Sequence, residues 1–109
     1  MTTTPKDTVT LTVVVNGEST TAVVAARTSL AEFVRIQAGL TGTKLGCEHG
    51  ACGACTVLVD DEPARACLMF AAQADGREVR TVESLAQGRE LNGLQTSFRE
   101  NFALQCGFC

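Results

Sequence analysis

Six cysteines are the residues in this chain most able to do chemistry, and they stand at positions 47, 52, 55, 67, 106 and 109 of 109 residues. The first four run Cys47-x4-Cys52-x2-Cys55-x11-Cys67. A C-x4-C-x2-C run with a distant fourth cysteine is the plant-type spacing for a 2Fe–2S cluster. Such a cluster with four thiolates is an anion, and its charge grows on reduction. Burying it is costly unless donors point at it. Backbone N–H groups are the donors at hand, and the segment Gly46-Cys47-Glu48-His49-Gly50-Ala51-Cys52-Gly53-Ala54-Cys55 is small enough to bring them close. Its glycines allow positive φ and close backbone approach to sulfur.

Two other uses of the thiols compete with that one. An even cysteine count fits a disulfide framework, but such frameworks belong to secreted chains. The first twelve residues carry neither a basic segment nor an apolar one, so a secretory signal is not expected and the expected compartment is the cytoplasm. Zinc would use Cys52/Cys55 and Cys106/Cys109 as two close pairs, leaving Cys47 and Cys67 idle. A Rieske-type site needs two histidines, and His49 is the only one, so it reads as a solvated loop residue. Lys44 and Glu48 read as surface charges able to tune the field at the loop. No Ser/His/Asp set, phosphate-cradling glycine loop or carboxylate pair is visible, so the chain reads as an electron carrier without a substrate site of its own.

The elements around this loop are those of a small α+β domain. Val9, Leu11, Val13 and Val15 recur with the period of a strand. Asn16-Gly17 then predicts a hairpin turn into a second strand over 19–26. Ser29 and Glu32 form a capping box ahead of Leu30, Phe33 and Val34, with Gly39 as the stop. Residues 41–55 are loop by composition, 56–59 a short strand, 60–63 a turn, 64–72 a small apolar run, and 78–82 another strand. Leu91, Leu94, Phe98 and Phe102 mark a helical stripe that needs a surface to pack against. With 45% hydrophobic and 19% charged residues and a net charge of −3, the chain has an ordinary globular composition. It offers no basic field for nucleic acid and no apolar run long enough to span a membrane.

The segment LGCEHGACGACTVLVDDEPARACL, with LQCGFC about forty residues later, resembles the small iron–sulfur subunit of molybdenum hydroxylases, the xanthine dehydrogenase, aldehyde oxidoreductase and carbon monoxide dehydrogenase family. The resemblance covers residues 9–109. It implies a ferredoxin-like β-grasp domain over 1–83 with Cys47, Cys52, Cys55 and Cys67 as ligands of one 2Fe–2S cluster. It further implies that 84–109 begin a helical domain, with Cys106 and Cys109 as half the ligand set of a second cluster. Gln105 matches the position that approaches the pterin of the molybdenum cofactor. The implied partners are a large subunit holding that molybdopterin cofactor and a medium subunit holding FAD, with this chain relaying electrons from the first to the second. Two cysteines cannot close a four-thiolate cluster, so the resemblance also implies a sequence truncated after CGFC. A free-standing one-cluster ferredoxin and a zinc-stapled structural module are the alternative functions; the CGFC pair argues against the former, and iron and sulfide content would exclude the latter.

Overall fold

The computed structural model describes residues 7–86 and 92–103. Leu91, Gln105, Cys106 and Cys109 lie outside the described residues. Strands β1 (Thr8–Val15) and β2 (Glu18–Ala25) pair antiparallel around Asn16 and Gly17, whose φ values of 51° and 87° belong to a tight two-residue hairpin turn. Leu11, Val13 and Val15 of β1 face the core, while Thr10 and Thr12 face outward.

The Ser29 hydroxyl accepts the Glu32 N–H at 3.1 Å and starts α1 (Leu30–Glu32). The helix continues directly as a π-helical turn over Phe33–Gln37, in which the Ala38 N–H reaches back five residues to the Phe33 carbonyl. That widened turn ends at Gly39, with φ 70°, the expected stop. Leu30, Phe33 and Val34 are fully buried against the sheet.

After the cysteine loop, β3 (Thr56–Val59) and β4 (Glu62–Arg65) form a second hairpin. Its turn is Asp60-Asp61, both at positive φ. Strand β4 was not anticipated: the residues read as a turn and an apolar run instead extend the sheet. Pro63 is tolerated because β4 is the edge strand, where a missing donor costs no ladder bond. Short 3-10 turns follow over Ala66–Leu68 and Ala71–Ala74.

Strand β5 (Glu78–Arg80) then enters the middle of the sheet, parallel to β1 and antiparallel to β3, giving the order β2-β1-β5-β3-β4. A mixed sheet with a helix across one face is the β-grasp arrangement, and the fold class is α+β. The fifth strand ends two residues earlier than expected, because the Thr81 N–H bonds the Asn16 side chain at 2.8 Å and Val82–Leu85 turn as a 3-10 segment. Helix α2 (Gly93–Glu100) begins at Asn92, whose side chain accepts the Gln95 N–H while Gln95 bonds back to the Asn92 N–H. Among the described residues, no helix is long and apolar enough to cross a membrane.

Candidate iron–sulfur site

The loop that carries Cys47, Cys52 and Cys55 is closed at its base by the Lys44 N–H bonding the Ala54 carbonyl at 3.2 Å. Within it the chain folds around one sulfur. The Cys47 Sγ receives N–H groups from Ala51 at 3.1 Å, Cys52 at 3.2 Å and His49 at 3.4 Å. Positive φ at Glu48, Gly50 and Gly53 makes this curl possible. At Gly46 a Cβ would lie 2.9 Å from the Cys52 Sγ, so a glycine is what lets the backbone pass so near the thiol.

The other thiols are held similarly. The Ala54 N–H points at the Cys52 Sγ and the Cys67 N–H at the Cys55 Sγ, each at 3.4 Å. Cys55 is 2% exposed and belongs to the core at the head of β3. Cys67 comes from the 3-10 turn after β4, which is tied back by the Ala66 N–H to the Cys55 carbonyl at 3.2 Å. The hairpin β3–β4 thus folds the fourth cysteine of the spacing onto the third. Cys52 is exposed and Cys47 half-buried, so the group has a wet edge and a dry one.

The electrostatics follow from the donors. The amides of His49 and Cys52, against some opposition from burial and with help from Ala51, lower the Cys47 thiol to about 6. The Cys67 thiol is raised, first by its hydrogen bond with the Cys55 thiol and then by burial. Cys52 thus acts on the Cys47 thiol, and Cys55 on the Cys67 thiol. Four thiols on one loop and the turn folded against it, with five amides aimed at three of the sulfurs, suit an anionic diiron group held by protein thiolates. Among the described residues, no three His, Cys, Asp or Glu side chains are grouped to hold a single metal ion.

The His49 ring meets backbone, with Nδ1 2.8 Å from the Cys47 carbonyl oxygen. Glu48 is exposed and Lys44 half-buried. Sequence reasoning missed the residues that hold the approach to the loop. Arg35 donates to the carbonyls of Thr41 and Thr43, and the Glu83 carboxylate accepts the Gly42 N–H at 2.6 Å. No spacing signal connects positions 35, 42 and 83; only the fold brings them together.

Comparison with known proteins agrees with this geometry. Residues 13–86 match the model of the 2Fe-2S iron-sulfur cluster binding domain. The chain is 54% identical over 105 residues to the nicotine 6-hydroxylase small subunit of Paenarthrobacter nicotinovorans, covering 96% of this chain and 63% of that subunit. It is 56% identical over 95 residues to the caffeine dehydrogenase subunit gamma of Pseudomonas sp. (strain CBB1), covering 87% and 57%. A solved structure of quinoline 2-oxidoreductase from Pseudomonas putida 86 superposes with a TM-score of 0.86 at 50% identity, over 94% of this chain and 64% of that one. The chain therefore spans about three-fifths of the length of these relatives. A cysteine-bearing loop wrapped by amides on a β-grasp sheet, matched over most of the chain, places this protein in the 2Fe-2S iron–sulfur cluster binding domain family.

Proposed function

We propose that this chain is the electron-transfer part of a molybdenum hydroxylase, with Cys47, Cys52, Cys55 and Cys67 as the ligands of a 2Fe–2S cluster. The observation that carries the assignment is the convergence of three backbone amides on the Cys47 sulfur, with further amides on the Cys52 and Cys55 sulfurs. When bound, the cluster takes up and releases one electron at a time. The chain's residues hold the thiolates ready, stabilise negative charge with amides and keep one side of the group dry through Cys55 and the β3 core.

In the whole complex, the chain stands between a large subunit with the molybdenum cofactor and a medium subunit with FAD, passing electrons from the first to the second. Residues 1–83 form the ferredoxin-like unit and 84–109 begin a helical unit. There Cys106 and Cys109 supply half the ligands of a second cluster, and Gln105 approaches the pterin. Support for that division comes from α2, which contributes no buried residue to the sheet's core. Names of similar proteins carry nicotine, caffeine and quinoline, so the substrate class proposed for the complex is an N-heterocycle, bound on the large subunit. A cytoplasmic location fits thiols kept reduced for metal binding.

Electron paramagnetic resonance of the dithionite-reduced native complex tests the proposal, together with iron, acid-labile sulfide, molybdenum and flavin counts. The expected result is two distinct 2Fe–2S signals, of which Cys55→Ser removes one. A native complex lacking molybdenum and flavin, or a Cys55→Ser protein with both signals intact, overturns it.

A further inference from the structure

We propose that Asn16, Thr81 and Glu83 form a hydrogen-bonded relay that positions the backbone entering the cysteine loop, and so sets the thiols before a cluster is inserted. The proposal rests on the loop's being the cluster-holding segment, and it concerns residues far from the cysteines in sequence.

Each link is a short, directed hydrogen bond. The Asn16 Nδ2 donates to the Thr81 Oγ1 at 2.8 Å, and the Thr81 N–H donates to the Asn16 Oδ1 at 2.8 Å. This double bond-pair fixes which way the amide faces. The Thr81 hydroxyl, already accepting from Asn16, donates its single proton to the Glu83 Oε1 at 2.6 Å. The other carboxylate oxygen, Oε2, accepts the Gly42 N–H at 2.6 Å. Thr81 is 4% exposed, so its hydroxyl has almost no water to turn to if either partner is lost.

The receiving end of the relay is shaped for it. A Cβ on Gly42 would lie 2.6 Å from the Glu83 Oε2 and 2.6 Å from the Val82 Cγ1, so only glycine lets this peptide sit on the carboxylate. From the other side, the Arg35 Nη1 donates to the Thr41 carbonyl at 3.2 Å and the Thr43 carbonyl at 2.9 Å. Three successive residues are thus held by a carboxylate on one side and a guanidinium on the other. Lys44, next in the chain, closes the loop onto Ala54. The loop itself has no repeating backbone ladder, so its entry path is set by these side chains. The turn that carries Glu83 also accepts the Gln95 Nε2 on the Val82 carbonyl at 3.2 Å, which ties α2 to the same point.

The test uses the cluster-loaded protein in its native complex with three variants. Thr81→Val keeps the volume and removes the hydroxyl, Glu83→Gln removes one acceptor, and Thr81→Ser restores the hydroxyl in a smaller side chain. Hydrogen exchange of peptides covering 41–46 is followed beside that of peptides covering Val13 and Val79 in the sheet. Loss of a charge-assisted bond should speed exchange at 41–46 by about tenfold or more in the Val and Gln variants. The sheet should be unchanged, the reduced resonance signal should be altered, cluster loss to a chelator should be severalfold faster, and the Ser variant should behave as wild type. The relay is overturned if 41–46 exchange as in wild type, if sheet and loop accelerate together, or if the Ser variant is as impaired as the Val variant. Because the exchange measurement reads the loop with or without iron, a protein found to lack iron and sulfide would sink the cluster assignment while the relay is still decided by exchange.

Discussion

The helix that crosses the sheet and the helix near the C-terminal end follow the same local rules and meet opposite fates. Each begins at a side-chain cap, Ser29 for α1 and Asn92 for α2. Each carries an apolar stripe. Yet Leu30, Phe33 and Val34 are 0% exposed, while Leu94 and Phe98 are 63% and 51% exposed; Phe102, expected in the same stripe, lies past the end of the helix at φ 50°. The better-buried helix is the less regular one, three α residues running into a π turn. Capping and periodicity decide that a helix forms, and a neighbouring surface decides what it is worth. The first helix buries its stripe against the sheet; in the second no described element covers the stripe.

The sharpest way to break that contrast is to truncate both stripes. Phe33→Ala should lower unfolding free energy by about 3–5 kcal/mol, against at most about 0.5 kcal/mol for Phe98→Ala, in urea denaturation of this chain. Equal losses would mean that the α2 face is buried in solution. A second contrast sets the loop against the hairpin. Gly50 sits at φ 87°, and a Cβ there would meet the Leu68 Cδ1 at 2.7 Å, whereas Thr21 is an exposed strand residue. Gly50→Val should cost about 1–3 kcal/mol in strain and reduce bound iron and sulfide, while Thr21→Val should leave both near wild type.

A third contrast lies within the loop. In metal-free protein at pH 7, iodoacetamide should modify Cys47 severalfold faster than Cys67, because the thiolate is the nucleophile and the Cys47 pKa is lowered, to about 6, while that of Cys67 is raised. Cys47 labelling should itself slow as the pH falls through 6, while its lead over Cys67 should close only as the pH rises to where Cys67 also ionises, and peptide mapping by mass spectrometry would read both. The smallest effect concerns Glu83. Partial burial pushes its carboxyl up, but the Thr81 hydroxyl and the Gly42 amide, together with Lys44, more than offset that and hold it below the usual carboxylate range. A depressed folded pKa means stability that is present at neutral pH and lost as the pH falls below that range. Thermal melting between pH 6 and pH 3 should therefore slope slightly more steeply in wild type than in Glu83→Gln.

Where one short stretch of chain fixes its own geometry, the sequence was legible. Asn16-Gly17 gave the turn, Ser29 the helix start and the 56–59 run its strand, all within a residue of the structure. The cysteine spacing likewise predicted a loop able to curl around a sulfur. Strand β4 was not legible, because Pro63 argues against a strand unless the strand is known to lie at an edge, and edges belong to the sheet. The early end of β5 was hidden for the same reason: its ladder is interrupted by Asn16, sixty-five residues away.

By itself, the order of residues determined the local chemistry: which thiols could serve one group, which glycines could bend, and which segments would be strands or helices. Tertiary structure alone decided how those pieces support one another. It set Cys67 against Cys55 by way of the β3–β4 hairpin, placed β5 between β1 and β3, and brought Glu83 and Arg35 to either side of residues 41–43. The physical reason is range. Backbone preferences act over a few neighbouring residues and can be read along the chain, whereas a hydrogen bond between positions 42 and 83 exists only once the sheet has brought its two ends together.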